Sequence, residues 1–453
     1  IGAGNMGHQI AISAAIAGFQ VICTDQNPDA LQRASEFADT YLAGRISKGR
    51  MSSEEVTKTK AGLRFETSLA ASVQQADLII EAIIEKPEAK NALFRELEEI
   101  VSENCMLASN TSSLSIASLA AACRNPQRFI GIHFFNPPRY LRLLEIIPGL
   151  ETDSEVLSFL ENYGDKFLGK TTVRCKDTPA FIANRVGVFS ILSLFHVVEK
   201  MGLTIDEVDK LTGPVLGRPK SATFRTCDVV GLDTLVKVAT DVFDRCPADE
   251  SRDTFRLPAF VQQMMERKWL GDKTGQGFYK KVKSADGKRE ILSLDLNTMD
   301  YRAKAKARFA TLEQTKSVDD VKQRLPLLFH GKDKAGDFYR ESFCRLFHYI
   351  SFRIPEITEE ISSIDEAICA GFGWEVGPFA TWELLGIEKT VKLMESMGLS
   401  PAAWVYELLA VGHTSFFTYS SGVVAAYNIP EKSYRPLSAA GGLILLDSYR
   451  DKT

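Results

Sequence analysis

Histidine is scarce in this chain, with six in 453 residues. They stand at His8, His133, His196, His330, His348 and His413, and no two are spaced as HxxxH or HExxH. Metal catalysis on a histidine cluster is therefore not expected. The eight cysteines form no CxxC pair and suggest neither a zinc site nor a disulfide framework. They read as reduced, mostly buried thiols, which makes a cytoplasmic location the expectation, or a peroxisomal one in a eukaryote. No apolar run reaches about 18 residues, so no membrane span is predicted. A cationic excess is also missing: 54 Lys and Arg against 58 Asp and Glu leave a net charge of -4. That argues against nucleic acid as the partner. Hydrophobic content of 45% and charged content of 25% are those of a globular protein, and this length predicts two or three domains.

The chain lacks a leading methionine, and only Ile1 precedes a glycine-rich turn. A strand normally leads into such a turn, so upstream residues are expected to lie outside this sequence. The turn reads GAGNMG over residues 2–7, which is G-x-G-x-x-G. Apolar and small residues at helical spacing follow, Gly18 is a helix stop, and QVICTD reads as a strand ending in Asp25. Gly2 allows the tight turn, Gly4 the approach of a pyrophosphate, and Gly7 the packing of helix on strand. The helix N-terminus supplies N–H groups to phosphates. Asp25 can accept both ribose hydroxyls and repels a 2′-phosphate, which predicts NAD over NADP. His8 reads as an exposed residue, with a phosphate contact as the alternative. Further strands are expected at 76–85, 105–114 and 129–136, with a helix from Pro87 to about Val101. The fold class is an α/β doubly wound Rossmann-type sheet followed by two mainly helical domains. Glu85, the Ser109–Ser113 loop and His133 fall at carboxyl ends of strands, where ligands of open α/β sheets bind.

GAGNMG, Asp25, EAIIE, ASNTSSL, HFFNP, LLEII and KDTPAFIANR occur in this order. With these motifs the first 281 residues or so resemble the L-3-hydroxyacyl-CoA dehydrogenase family of fatty-acid β-oxidation. The resemblance implies NAD-dependent oxidation of an acyl-CoA substrate. It implies catalytic roles for His133, Glu145, Ser112 and Asn184. It places cofactor contacts at Gly2, Gly4, Asn5, Met6, Gly7, Asp25, Glu85, Lys90 and Asn136. The chemistry suits these types: neutral imidazole takes a hydroxyl proton at physiological pH, and a carboxylate on its other nitrogen fixes the tautomer. The Pro-Pro turn between His133 and Glu145 can reverse the chain and lay the two on neighbouring strands. Alternatives remain at single residues: Ser112 as a helix cap, Asn184 in a structural network, Lys90 on a plain helix face. Dehydrogenation of another β-hydroxy acid, or non-catalytic NAD binding, are the competing functions.

The expected domains are 1–175 for NAD, 176–282 helical, 283–335 a charged linker, 336–412 a second helical domain and 413–453 a C-terminal extension. Within the linker, RAKAKARFATLEQ is expected to be helical. The stretch TIDEVDKLTGPVLGRP…VVGLDTLVKV (204–238) is echoed by SIDEAICAGFGWEVGPFATWELLGIEKTVKL (363–393), a domain duplication with a period near 160 residues. Fused members of the family carry such paired domains. The expectation is therefore a monomer with an internal pseudo-dimer, or a homodimer. The segments PPRYLR and GRPKSATFRTCD depart from the common family pattern and resemble a bacterial subgroup fused to an enoyl-CoA hydratase. The final GGLILLDSYRDKT is where that enzyme would begin. Arg218, Lys220 and Arg225 are either contacts for CoA phosphates or a solvated turn.

Overall fold

The computed structural model describes residues 1–283, 289–420 and 423–437, so GGLILLDSYRDKT lies outside the described residues. The chain divides into two compact units, Ile1–Phe181 and Ile182–Thr453. The first unit holds β1 (Val21–Thr24), β2 (Leu63–Glu66), β3 (Leu78–Glu81), β4 (Met106–Ser109), β5 (Phe129–Phe134), β6 (Leu143–Pro148) and β7 (Thr171–Arg174). β1 pairs with β2 in parallel, and the order β3-β4-β5-β6-β7 forms a five-stranded sheet. Within it only the β5–β6 pair is antiparallel. Ile1 joins the two sheets: its N–H donates to Ile80 O and its carbonyl accepts from Ala82, while Gly2 N–H donates to Thr24 O.

β5 is buried at every position, as a central strand covered on both faces should be. One core forms from Ile10, Ile130, Ile132, Leu144, Ile146 and Leu160. A second core of Ile12, Ala15, Cys23, Leu31 and Ala34 packs around β1. The expected strand over 76–85 stops at Glu81. The Glu81 carboxylate accepts the N–H of Ile83 at 2.7 Å, which turns the chain out of the sheet. The helix expected from Pro87 ends at Glu98, with Pro87 in its first turn.

The second unit is mainly helical. Its central helix, Ala183–Met201, is buried over most of its length and ends at Gly202 in the left-handed region. The segment expected to be a charged linker holds more order than its charge suggests. β8 (Tyr279–Lys283), β9 (Arg289–Leu294) and β10 (Tyr301–Ala303) form an antiparallel sheet. RAKAKARFATLEQ is helical only over Ala310–Gln314, because its first residues belong to β10 and the following extended chain. The buried Asp206 fixes that departure, accepting from Ser293 Oγ and the N–H of Ala305. Beyond it lie the helices Lys334–Phe352, Ile361–Phe372 and Pro378–Leu385. β11 (Phe417–Ser420), β12 (Val423–Asn428) and β13 (Ser433–Pro436) form a second antiparallel sheet.

The two stretches whose sequences echo each other, 204–238 and 363–393, differ in detail. In the later copy Asp365 of the IDE motif accepts the N–H groups of Phe379 and Ala380 at the start of a helix. In the earlier copy that task falls to Asp209, which accepts from Thr223, Phe224 and Arg225. Among the described residues no helix is long and apolar enough to cross a membrane.

Candidate active site

His133 and Glu145 stand directly opposite each other on β5 and β6. In an antiparallel pair such residues point to the same face, so twelve positions in sequence become one contact. His133 Nδ1 lies 2.7 Å from Glu145 Oε2. Glu145 is 0% and His133 5% exposed. The imidazole also touches Phe135 and Phe181, with ring centroids 4.6 and 5.7 Å away. Phe181 reaches this place because Ala180 and Phe181 both adopt positive φ, 66° and 51°. Two successive non-glycine residues in that region carry strain. The Nε2 atom has no hydrogen-bond partner among the described residues. One ring nitrogen is therefore held by a carboxylate and the other is available.

Beside this pair a polar chain runs from the interior to the loop after β4. Glu81, 0% exposed, accepts Ser109 Oγ at 2.6 Å and Lys90 Nζ at 2.6 Å. Lys90 Nζ also lies 3.2 Å from Glu85 Oε2. Glu85 Oε1 then accepts Thr111 Oγ at 2.7 Å and the N–H of Ser112 at 2.9 Å. Burial alone would push the Glu85 carboxyl up. Lys90, the Thr111 hydroxyl and the Ser112 N–H outweigh it and hold the carboxyl below its usual range. Ser112 is thus fixed by Glu85, its hydroxyl 3.4 Å from the same oxygen. It does not cap the following helix: Ser115 does, accepting the N–H of Ser118. Asp177 of the KDT motif seals that helix start, accepting from Ser115 Oγ, Ile116 N and Ala117 N at 2.8–2.9 Å.

Lys90 was not to be found on a surface. Its ammonium is 1% exposed and engaged by two carboxylates, Glu81 and Glu85. Sequence reasoning missed Glu81 and Asp177. The signal was an acid at each end of EAIIE with a lysine on the helix behind it. Only the tertiary fold tells which acid is enclosed.

The glycine turn and its acid come together beyond the end of β1, where Ala3 N–H donates to Asp25 Oδ2. Gly2 has φ 94°, and a Cβ at Gly7 would overlap the Gly2 carbonyl oxygen. Gly4 is exposed, and a Cβ there would meet nothing within 4 Å. No side chain caps the helix Gly7–Ile16. Asp25 is oriented by the N–H groups of Ala3 and Asn27, at 2.8 and 2.9 Å. Asn5 Nδ2 donates to Asn136 Oδ1 at 3.1 Å, so those two expected contacts also meet. Met6 is the residue before the helix. A dinucleotide fits this set: open backbone N–H groups, room over Gly4 and a fixed carboxylate for the ribose. His8 is half-buried, its Nδ1 is 2.7 Å from Gly4 O, and its ring packs edge-on against Phe37. Asn184 lies in the second unit, in the first turn of the helix Ala183–Met201. It is half-buried and its side chain makes no hydrogen bond among the described residues, so no structural network claims it.

A Rossmann-type nucleotide turn and a buried imidazole–carboxylate pair in one compact unit define a dinucleotide-binding protein of the dehydrogenase class. Residues 1–178 match the family model of the 3-hydroxyacyl-CoA dehydrogenase NAD binding domain, and residues 181–281 match that of the 3-hydroxyacyl-CoA dehydrogenase C-terminal domain. A "Probable 3-hydroxyacyl-CoA dehydrogenase" of Bacillus subtilis is 36% identical over 94% of this chain and 56% of its own length. The chain thus spans about half the length of that relative. One of the same name from Deinococcus radiodurans is 41% identical over 62% of this chain and 82% of its own. The crystal structure of 3-hydroxybutyryl-CoA dehydrogenase from Escherichia coli is 26% identical, with TM-score 0.72, over 90% of this chain and 97% of that one. The chain belongs to the 3-hydroxyacyl-CoA dehydrogenase family.

Proposed function

We propose that this chain oxidises the hydroxyl of an L-3-hydroxyacyl-CoA to a ketone with NAD, as a step of fatty-acid β-oxidation. The observation that carries the reading is the buried His133–Glu145 contact of 2.7 Å with Nε2 left available. Bound NAD would accept a hydride from C3. The chain's own part is to take the hydroxyl proton. The Nδ1–H of neutral His133 donates a hydrogen bond to Glu145, so the lone pair of the ring lies on Nε2. As that atom takes the substrate proton, the carboxylate stabilises the imidazolium. Phe135 and Phe181 keep the ring in place and water away. Ser112, oriented by Glu85, and Asn184 are proposed to hydrogen-bond substrate oxygens. The Asp25 carboxylate disfavours a 2′-phosphate, which supports NAD.

The test is direct. The chain should consume NADH with acetoacetyl-CoA, followed by the loss of absorbance of NADH. Binding of NADH without turnover of 3-ketoacyl-CoA of any length would sink the proposal and favour a non-catalytic homologue.

We also propose that the second helical repeat stands where a partner subunit would. Arg185 of the central helix donates to Tyr349 OH at 2.7 Å, to Asp249 at 2.6 Å and to Glu356 at 3.0 Å. Arg353 reaches Asp249 and Glu356 as well. A Cβ at Gly187 would overlap the ring of Phe372, so the helix face is closed by this chain's own later copy. Sedimentation equilibrium should return the monomer mass of 50.2 kDa; a dimer that buries the central helix would contradict this. An associated or fused enoyl-CoA hydratase is proposed on the subgroup resemblance of PPRYLR and GRPKSATFRTCD.

A further inference from the structure

Three cations of the atypical GRPKSATFRTCD segment and its neighbour differ in how their charge is met. Arg225 is held by Asp272 through two hydrogen bonds, 2.9 and 2.6 Å long. Arg324 donates to the carbonyls of Val215, Pro214 and Val318. Arg218 has no hydrogen bond and no ion pair among the described residues. Its guanidinium lies on the face of Trp374, 3.5 Å from the ring centroid. Burial pulls its pKa down to about 9, and the only opposing influence is Tyr339, not a carboxylate.

Arg218 lines a cavity of about 10 Å³ together with Ser190, Ser193, Thr212 and Ser342. Thr212 spends its hydroxyl on Val208 O and Thr223, and Ser342 donates to Tyr339 O. Ser190 and Ser193 have no hydroxyl partner among the described residues, although they are only 8% and 5% exposed. The cavity therefore joins a cation that meets an aromatic face but no carboxylate to two unclaimed hydroxyls. It also lies on the seam of the duplication. Ser190, Ser193, Thr212 and Arg218 belong to the earlier copy, Ser342 and Trp374 to the later one.

We propose that this cavity binds one small monovalent inorganic anion of halide size, which neutralises Arg218 and ties the two repeats together. The Arg218 side chain is half-buried, and a desolvated charge is costly unless paired. Hydroxyl groups and a guanidinium complete an anion's shell, and the volume admits a single small sphere. A CoA phosphate, with its attached chain, is too large. A water molecule fits but leaves the charge unmet. The inference is independent of the proposed dehydrogenase activity.

The test is thermal unfolding of the full chain while sodium bromide replaces sodium gluconate at fixed ionic strength. The melting temperature should rise and saturate, and Arg218→Gln should remove the saturable part. Bromide-soaked crystals should show an anomalous peak between Arg218 and Ser193. If Arg218→Gln does not fold, the double variant Ser190→Ala/Ser193→Ala keeps the charge. It should move half-saturation to about tenfold higher bromide. A bromide response that does not saturate, or is equal in wild type and variants, overturns the proposal. So does a cavity without an anomalous peak.

Discussion

His133→Gln should lower kcat for acetoacetyl-CoA reduction by about 10³-fold while leaving NADH affinity within twofold of wild type. General acid–base catalysis by a positioned side chain is worth about 10² to 10⁴ in rate, and glutamine has no titrating nitrogen. The substitution removes that transfer and little else. Glutamine can still donate to Glu145, so the buried carboxylate keeps a partner and the hairpin keeps its ladder. The turn at Gly2–Gly7 is elsewhere in the same unit, so the nucleotide site stays intact. Stopped-flow reduction and NADH fluorescence titration measure the two quantities separately. A loss below tenfold would remove His133 from the chemistry. An equal loss in NADH affinity would make it a cofactor residue.

Lys90→Met should destabilise the chain by about 3–5 kcal/mol, the range for breaking a buried ion pair by removing one partner. Methionine matches the stem of lysine but leaves Glu81 enclosed with an unmatched charge and loosens Glu85. Since Glu85 holds the N–H of Ser112, the loop after β4 should lose its fixed position too. Urea unfolding of the variant, read by circular dichroism, gives the stability. A change under about 1 kcal/mol with a raised Kd for NADH would instead support direct cofactor contact by Lys90.

Much of the first unit was legible because its signals are local. GAGNMG, a strand and Asp25 follow one another within 25 residues, and each glycine has a backbone reason. β5 showed itself as an apolar stretch interrupted by Gly131 and His133. The His133–Glu145 contact was legible only through the motifs around it, because spacing alone cannot choose between a hairpin and two unrelated strands. Glu81 and Glu85 were indistinguishable in EAIIE: whether an acid is enclosed depends on a helix packed from elsewhere. The charged stretch after Lys283 misled for a similar reason. Its composition reads as solvated chain, yet β9 enters the interior at its end, where Leu294 is fully buried and Ser293 is fully buried against Asp206. Arg218 could not be told from Arg225 by sequence either, since both stand in one basic turn and only one finds a carboxylate.

The antiparallel ladder between β5 and β6 has an evolutionary consequence. It fixes His133 opposite Glu145 from within the strands, through neighbours such as Ile132 with Ile146 and Phe134 with Leu144. No side chain of the connecting segment 137–142 takes part in that ladder, so its side chains can change character while the proton-handling pair stays aligned. A lineage can rewrite this loop to suit a new acyl chain or neighbour without having to reinvent its chemistry.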